Sequence, residues 1–66
     1  MSTKLCDYEI KLLKEMNGEP QGLIWGAAMG AAIEFLHGAR LVDRRLGRYE
    51  INDKGREYLA KLDRAP

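Results

Sequence analysis

Gly22–Leu36 reads GLIWGAAMGAAIEFL, and its only ionisable side chain is Glu34. Too many of these residues are apolar or small for one narrow stripe, so the stretch reads as a central helix packed on more than one side. Trp25, Met29, Ile33 and Leu36 recur at helical spacing, with Ala28, Ala32 and Phe35 in the neighbouring stripe. Gly26 and Gly30 stand four apart among alanines. A glycine inside a helix costs about 1 kcal/mol relative to alanine, so the pair predicts another backbone approaching closely, within the chain or across a dimer. His37-Gly38 closes the helix. Leu23–Ile33 runs only eleven residues before Glu34 interrupts it. A membrane-spanning helix requires about 20 apolar residues, so the run is read as core and no membrane partner is expected.

On the N-terminal side, LCDYEIKLLKEM (Leu5–Met16) fits a first helix. Cys6 takes the N-cap position, Glu9 follows three residues later as in a capping box, and Leu5 can meet Ile10 as a hydrophobic staple. Tyr8, Ile10, Leu12, Leu13 and Met16 share one broad arc, opposite Asp7, Lys11, Lys14 and Glu15. Asn17-Gly18 supplies a left-handed stop. Glu19-Pro20-Gln21-Gly22 is a turn or the first turn of a short helix.

On the C-terminal side, the period changes. Leu41–Arg45 reads as a strand, Leu46-Gly47 as a turn, and Arg48–Ile51 as the returning strand, where Tyr49 and Ile51 alternate with Arg48 and Glu50. Asn52 is a good N-cap for a closing helix, and Gly55, Tyr58, Leu59 and Leu62 follow at i, i+3, i+4, i+7. Glu57 and Lys61 stand at the spacing of a surface ion pair. A third short strand near Leu23–Trp25 would have the hairpin to pair with.

At 66 residues the chain forms one small domain, of a size at which a lone core is only marginally stable. Residues 1–4 and 64–66 read as loose ends. With 45% apolar and 32% charged residues the composition is that of a soluble globular protein. Cys6 has no partner for an internal disulfide, and no stretch resembles a signal peptide, so a reducing cytoplasm is expected. The formal charge of +1 conceals an asymmetry: residues 1–38 carry three lysines against five acids, and residues 39–66 carry eight Lys or Arg against five acids. Arg40, Arg44, Arg45 and Arg48 fall within nine positions. Such a local basic end matters to an anionic partner.

The segment FLHGARLVDRRLGRYEINDKGREYLAKL (Phe35–Leu62) resembles the C-terminal part of small bacterial and bacteriophage winged helix-turn-helix domains. In those domains a recognition helix runs into a Leu-Val strand, a wing, a returning Tyr-x-Leu/Ile strand and a capped helix. Here Leu36, Leu41-Val42, Tyr49, Ile51 and Asn52-Asp53-Lys54-Gly55 take those places, and the likeness covers roughly residues 25–62. It implies an α+β fold that is mostly helical: a first helix, a central helix, a two-stranded β-hairpin wing and a C-terminal helix. It also implies a regulator that binds DNA.

The sequence departs from that pattern in three ways. Nine residues, Asn17–Trp25, separate the first helix from the central one, so the helix-turn-helix is abbreviated. The usual glycine before the Leu-Val strand is Arg40. The helix in the recognition position offers Gly26, Ala27, Ala28, Met29, Gly30 and Ala31, none of which donates a bidentate hydrogen bond to a base edge.

Two functional readings follow. In the first, Arg44, Arg45 and Arg48 at the wing, with Arg40, Lys54 and Arg56 nearby, contact phosphates without reading sequence. The plain structural counterpart is a charged hairpin protected from edge pairing. In the second, Trp25, Gly26, Met29 and Gly30 form a homodimer interface or dock a host or phage protein, and DNA is not bound. Their structural counterpart is ordinary core packing. His37 reads as a helix C-cap. One His and one Cys make no zinc site, GAAMGAA lacks the Lys and Ser/Thr of a phosphate loop, and no nucleophile sits in a catalytic context. No cofactor, metal or enzymatic activity is expected.

Overall fold

A computed structural model describes residues 4–24 and 26–64. It has α+β architecture: α1 (Asp7–Met16), α2 (Ala27–Gly38), β1 (Val42–Arg45), β2 (Arg48–Ile51) and α3 (Asp53–Arg64). The two strands form one antiparallel hairpin, and the three helices pack around its base. Leu5, Leu12, Leu13, Met29, Leu36 and Val42 lead the buried cluster, joined by Ala32, Leu41 and Leu59.

α1 starts where expected. Cys6 is extended, and its backbone N–H donates to Glu9 Oε1 at 2.9 Å. Leu12 and Leu13 point into the core, with Tyr8, Ile10 and Met16 half-buried beside them. The stop is a Schellman turn: Gly18 adopts φ 87, and the N–H groups of Gly18 and Glu19 donate to the carbonyls of Glu15 and Lys14, both at 3.0 Å. Glu19–Ile24 then runs without helix or strand, so the third short strand expected near Leu23–Trp25 is absent at Leu23 and Ile24, and Trp25 lies outside the described residues. So do residues 1–3, 65 and 66, to which most of the expected loose ends belong.

α2 differs from expectation in extent and in packing. It begins five residues later than Gly22, which instead bends the chain at φ 68, and it runs through His37 and Gly38. Nor is it covered all round. Met29, Ala32 and Leu36 are buried and Ile33 half-buried, whereas Ala27, Ala28, Gly30, Ala31, Glu34 and Phe35 are exposed. Among the described residues a Cβ placed on Gly26 or Gly30 would meet nothing within 4 Å, so no described backbone makes the close approach expected there. Alanine and glycine raise the apolar count of a segment without supplying bulk to bury. One face of α2 is core and the rest is a low, smooth surface.

α2 closes on a second Schellman turn, with Arg40 in the left-handed position at φ 64. Arg40 N–H donates to the His37 carbonyl and Leu41 N–H to the Leu36 carbonyl, both at 3.0 Å, while the buried side chains of Leu36 and Leu41 supply the apolar contact typical of this turn. The turn that closes α2 thus forms without the usual glycine, at the expense of a non-glycine residue in the left-handed region.

In the hairpin, Val42 pairs with Ile51, Asp43 with Glu50, Arg44 with Tyr49 and Arg45 with Arg48. Paired residues share a face. Val42, Ile51, Arg44 and Tyr49 therefore lie on one side, anchored by the fully buried Val42, and Asp43, Glu50, Arg45 and Arg48 on the other, all exposed. The connection is a two-residue loop, Leu46 at φ 52 and Gly47 at φ 76, the type I′ geometry that matches strand twist.

Asn52 ties the hairpin base to α3. Its Oδ1 accepts from Gly55 N–H at 2.9 Å, and its Nδ2 donates to the Arg40 carbonyl at 2.9 Å and to Asp43 Oδ1 at 3.1 Å. α3 then lays Leu59 into the core, and the Tyr58 hydroxyl accepts from Leu5 N–H at 3.2 Å.

Candidate nucleic-acid interface

The six basic residues singled out from the sequence do not form one patch. Arg44, Arg45 and Arg48 gather at the hairpin tip, all exposed. Arg40 precedes β1, in the turn that ends α2, at the end of the hairpin away from the tip. Its carbonyl is engaged by Asn52, and its side chain is exposed.

Arg56 is occupied within the chain. Its guanidinium pairs with Asp53 at 2.7 Å and donates to the Ile51 carbonyl at 3.4 Å. Lys54 faces a different groove, where Lys4, Lys54 and Lys61 surround Leu41, Tyr58 and Leu62. Lys61 there pairs with Glu57 at 3.2 Å, as their spacing predicts. The six basic residues thus resolve into a tip of three arginines, an arginine at the turn, a paired arginine and a lysine groove.

The tip is electrostatically one-sided. Arg45 and Arg48 oppose each other directly, and Asp43 and Glu50 oppose each other two residues further down the same face. Like charges directly opposite destabilise a ladder. Among the described residues neither the Arg45 nor the Arg48 guanidinium has a hydrogen bond or ion pair. On the other face the Arg44 guanidinium lies over the Tyr49 ring, 5.8 Å from its centroid. Tyr49 in turn meets His37 edge-on, with centroids 5.6 Å apart and planes at 72°. His37, Tyr49 and Arg44 form a stacked row from α2 to the hairpin, which stiffens the position of Arg44.

Two members of this site were not legible as such in the sequence. His37 reads there as a helix cap; it stands in the last turn of α2 and is also a ring neighbour of Tyr49. Leu46 reads only as half of a turn, and it projects from the apex with all of its surface exposed. The signal for Leu46 was present, because a two-residue I′ loop favours Asn-Gly or Asp-Gly and leucine departs from that.

The residues expected at a subunit or partner interface also separate. Met29 is 1% exposed and belongs to the core of this chain, because the side chain points from α2 toward α1 rather than outward; it is removed from the candidate interface. Gly26 and Gly30 are exposed on one flank of α2, and Phe35, five residues beyond Gly30 and so on the other flank, is 45% exposed. Ile24, just before α2, is 88% exposed. Trp25 cannot be located, lying outside the described residues.

Among the described residues no three His, Cys, Asp or Glu side chains are grouped to hold a metal ion, and no helix is long and apolar enough to cross a membrane. The chain matches no protein-family model, no curated protein and no solved structure.

Proposed function

We propose that this chain is a small winged-helix regulator that binds duplex DNA through the hairpin tip, with Arg44, Arg45 and Arg48 neutralising phosphates. The observation that carries this reading is the Arg45–Arg48 pair at the tip, two exposed cations placed face to face with neither in an ion pair among the described residues. A polyanion removes the repulsion and gains from it. Arg44, steadied over Tyr49, adds a third cation from the opposite face. The exposed side of α2 contributes no donors for base edges, and Glu34 on it repels phosphate. Binding is therefore a matter of phosphate contact and occlusion, with little direct readout.

Binding to random-sequence duplex at two salt concentrations tests this. Three phosphate contacts give a slope of log K against log salt of about −2.7, or roughly a 40-fold loss of affinity between 50 and 200 mM. Replacing Arg44, Arg45 and Arg48 by Gln flattens that slope and weakens every duplex alike. A wild-type chain with no affinity at 50 mM salt overturns the reading.

A second reading has its own observation. The exposed small residues of α2, together with the exposed Phe35 and Ile24, suit a homodimer contact or the docking of a host or phage protein on a winged-helix scaffold that does not bind DNA. DNA binding at two salt concentrations, run beside sedimentation, separates the two: a DNA-silent dimer supports this second reading, and salt-sensitive DNA binding, expected of a dimer, supports the first.

A further inference from the structure

Leu46 contributes nothing to the fold it belongs to. It is 100% exposed, and it holds a left-handed backbone, φ 52, that leucine disfavours and asparagine or glycine would accept freely. Strain retained at an exposed apex, where relief takes one substitution, points to a role outside the chain. Its surroundings narrow the partner. Arg44 leaves one face of the hairpin and Arg45 and Arg48 the other, so the apolar apex is bracketed by cations on both sides. A protein pocket for this leucine would have to desolvate or match three guanidinium groups. A DNA groove presents anionic phosphates along both walls and, at a base step that opens, apolar base faces between which a leucine can insert.

We infer that Leu46 is a wedge, which enters the minor groove of duplex DNA and partly unstacks one base step while the arginines hold the two phosphate walls. This rests on the DNA-binding reading above and adds a selection rule to it. A side chain that opens a step favours steps that open easily, so pyrimidine–purine steps such as TA are preferred over stiff A-tracts without any hydrogen bond to a base. Specificity then comes from deformability, at a site where α2 has no donors to supply it.

The test compares wild type with Leu46→Asn and Leu46→Met, using duplexes that differ only in a central TA step or A-tract and carry 2-aminopurine at that step. Asparagine suits the turn, so Leu46→Asn stays folded and melts no lower than wild type; methionine keeps an apolar apex. The expectation is a rise in 2-aminopurine fluorescence with wild type and Leu46→Met, its loss with Leu46→Asn, and about tenfold weaker binding of Leu46→Asn to the TA duplex, the part of a buried leucine left after unstacking. The salt slope stays unchanged, since no charge is altered. Equal binding by all three proteins overturns the wedge and leaves phosphate binding intact. Equal loss in Leu46→Asn and Leu46→Met also overturns it, by assigning the effect to the shape of the turn. A wild-type protein that ignores DNA removes the wedge together with the reading on which it rests.

Discussion

The backbone of Gly55 lies directly beneath the carbonyl oxygen of Leu41, leaving no room for a side chain. A Cβ there would collide with that oxygen and stand 2.7 Å from Ile51 Cγ1. The Leu41 oxygen is not free to withdraw, because it accepts the Asn52 N–H at 3.2 Å. Gly55→Ala therefore destabilises the protein despite the helix propensity it gains. Overpacking typically costs 1–3 kcal/mol against the roughly 1 kcal/mol returned by propensity. Urea unfolding showing Gly55→Ala to be as stable as wild type would contradict the seating of α3 on the hairpin base.

Asn52 is the other fastening at that junction, and its two ends do different work. Alanine removes the cap on α3 and leaves the Arg40 carbonyl without its partner, an expected loss of about 2 kcal/mol. For a domain of this size that is roughly 8–16 °C in Tm. Aspartate keeps the acceptor for Gly55 N–H but loses the donor, and it sets a second carboxylate near Asp43. Thermal melts should rank wild type above Asn52→Asp and Asn52→Asp above Asn52→Ala. Equal melting of wild type and Asn52→Asp would mean that only the cap matters.

This junction also shows what a sequence can and cannot reveal. Asn52, Gly55 and the hairpin were legible because each depends on local chemistry: a capping side chain, a stripe of spacing and a two-residue turn. The extent and coverage of α2 were not. A count of apolar residues in GLIWGAAMGAAIEFL cannot separate alanines that are buried from alanines that merely face water, and only Met29, Ala32 and Leu36 carry that helix into the core. The tip arginines were legible as a cluster in sequence. That Lys54 and Arg56 do not join them depends on where α3 points after Asn52, a tertiary relation.

Arg40 holds a position where glycine is the usual residue, at φ 64 in the turn that ends α2. Relieving a left-handed non-glycine residue is worth about 1 kcal/mol, less the entropy that glycine adds to the unfolded chain. Arg40→Gly should raise Tm by a few degrees. If its side chain contacts phosphate, the same variant lowers the salt slope by about 1. A stabilised variant with an unchanged slope would assign Arg40 to the fold alone and confine DNA contact to the tip.

Opposite effects on stability and binding give the sharpest check on the tip itself. Arg45→Glu converts the like-charged pair across the ladder into an attractive one, because position 45 faces Arg48 directly. Cross-strand pairs of opposite charge contribute about 0.2–1 kcal/mol, and removal of the repulsion adds to that, so the variant should melt higher than wild type. Its affinity for duplex DNA should fall, since one cation is lost and an anion is placed against the phosphates. A purely solvated hairpin predicts the gain in Tm with no binding to lose. A phosphate-binding tip predicts both changes, and with them a reason for the chain to retain two arginines directly opposite each other in the ladder.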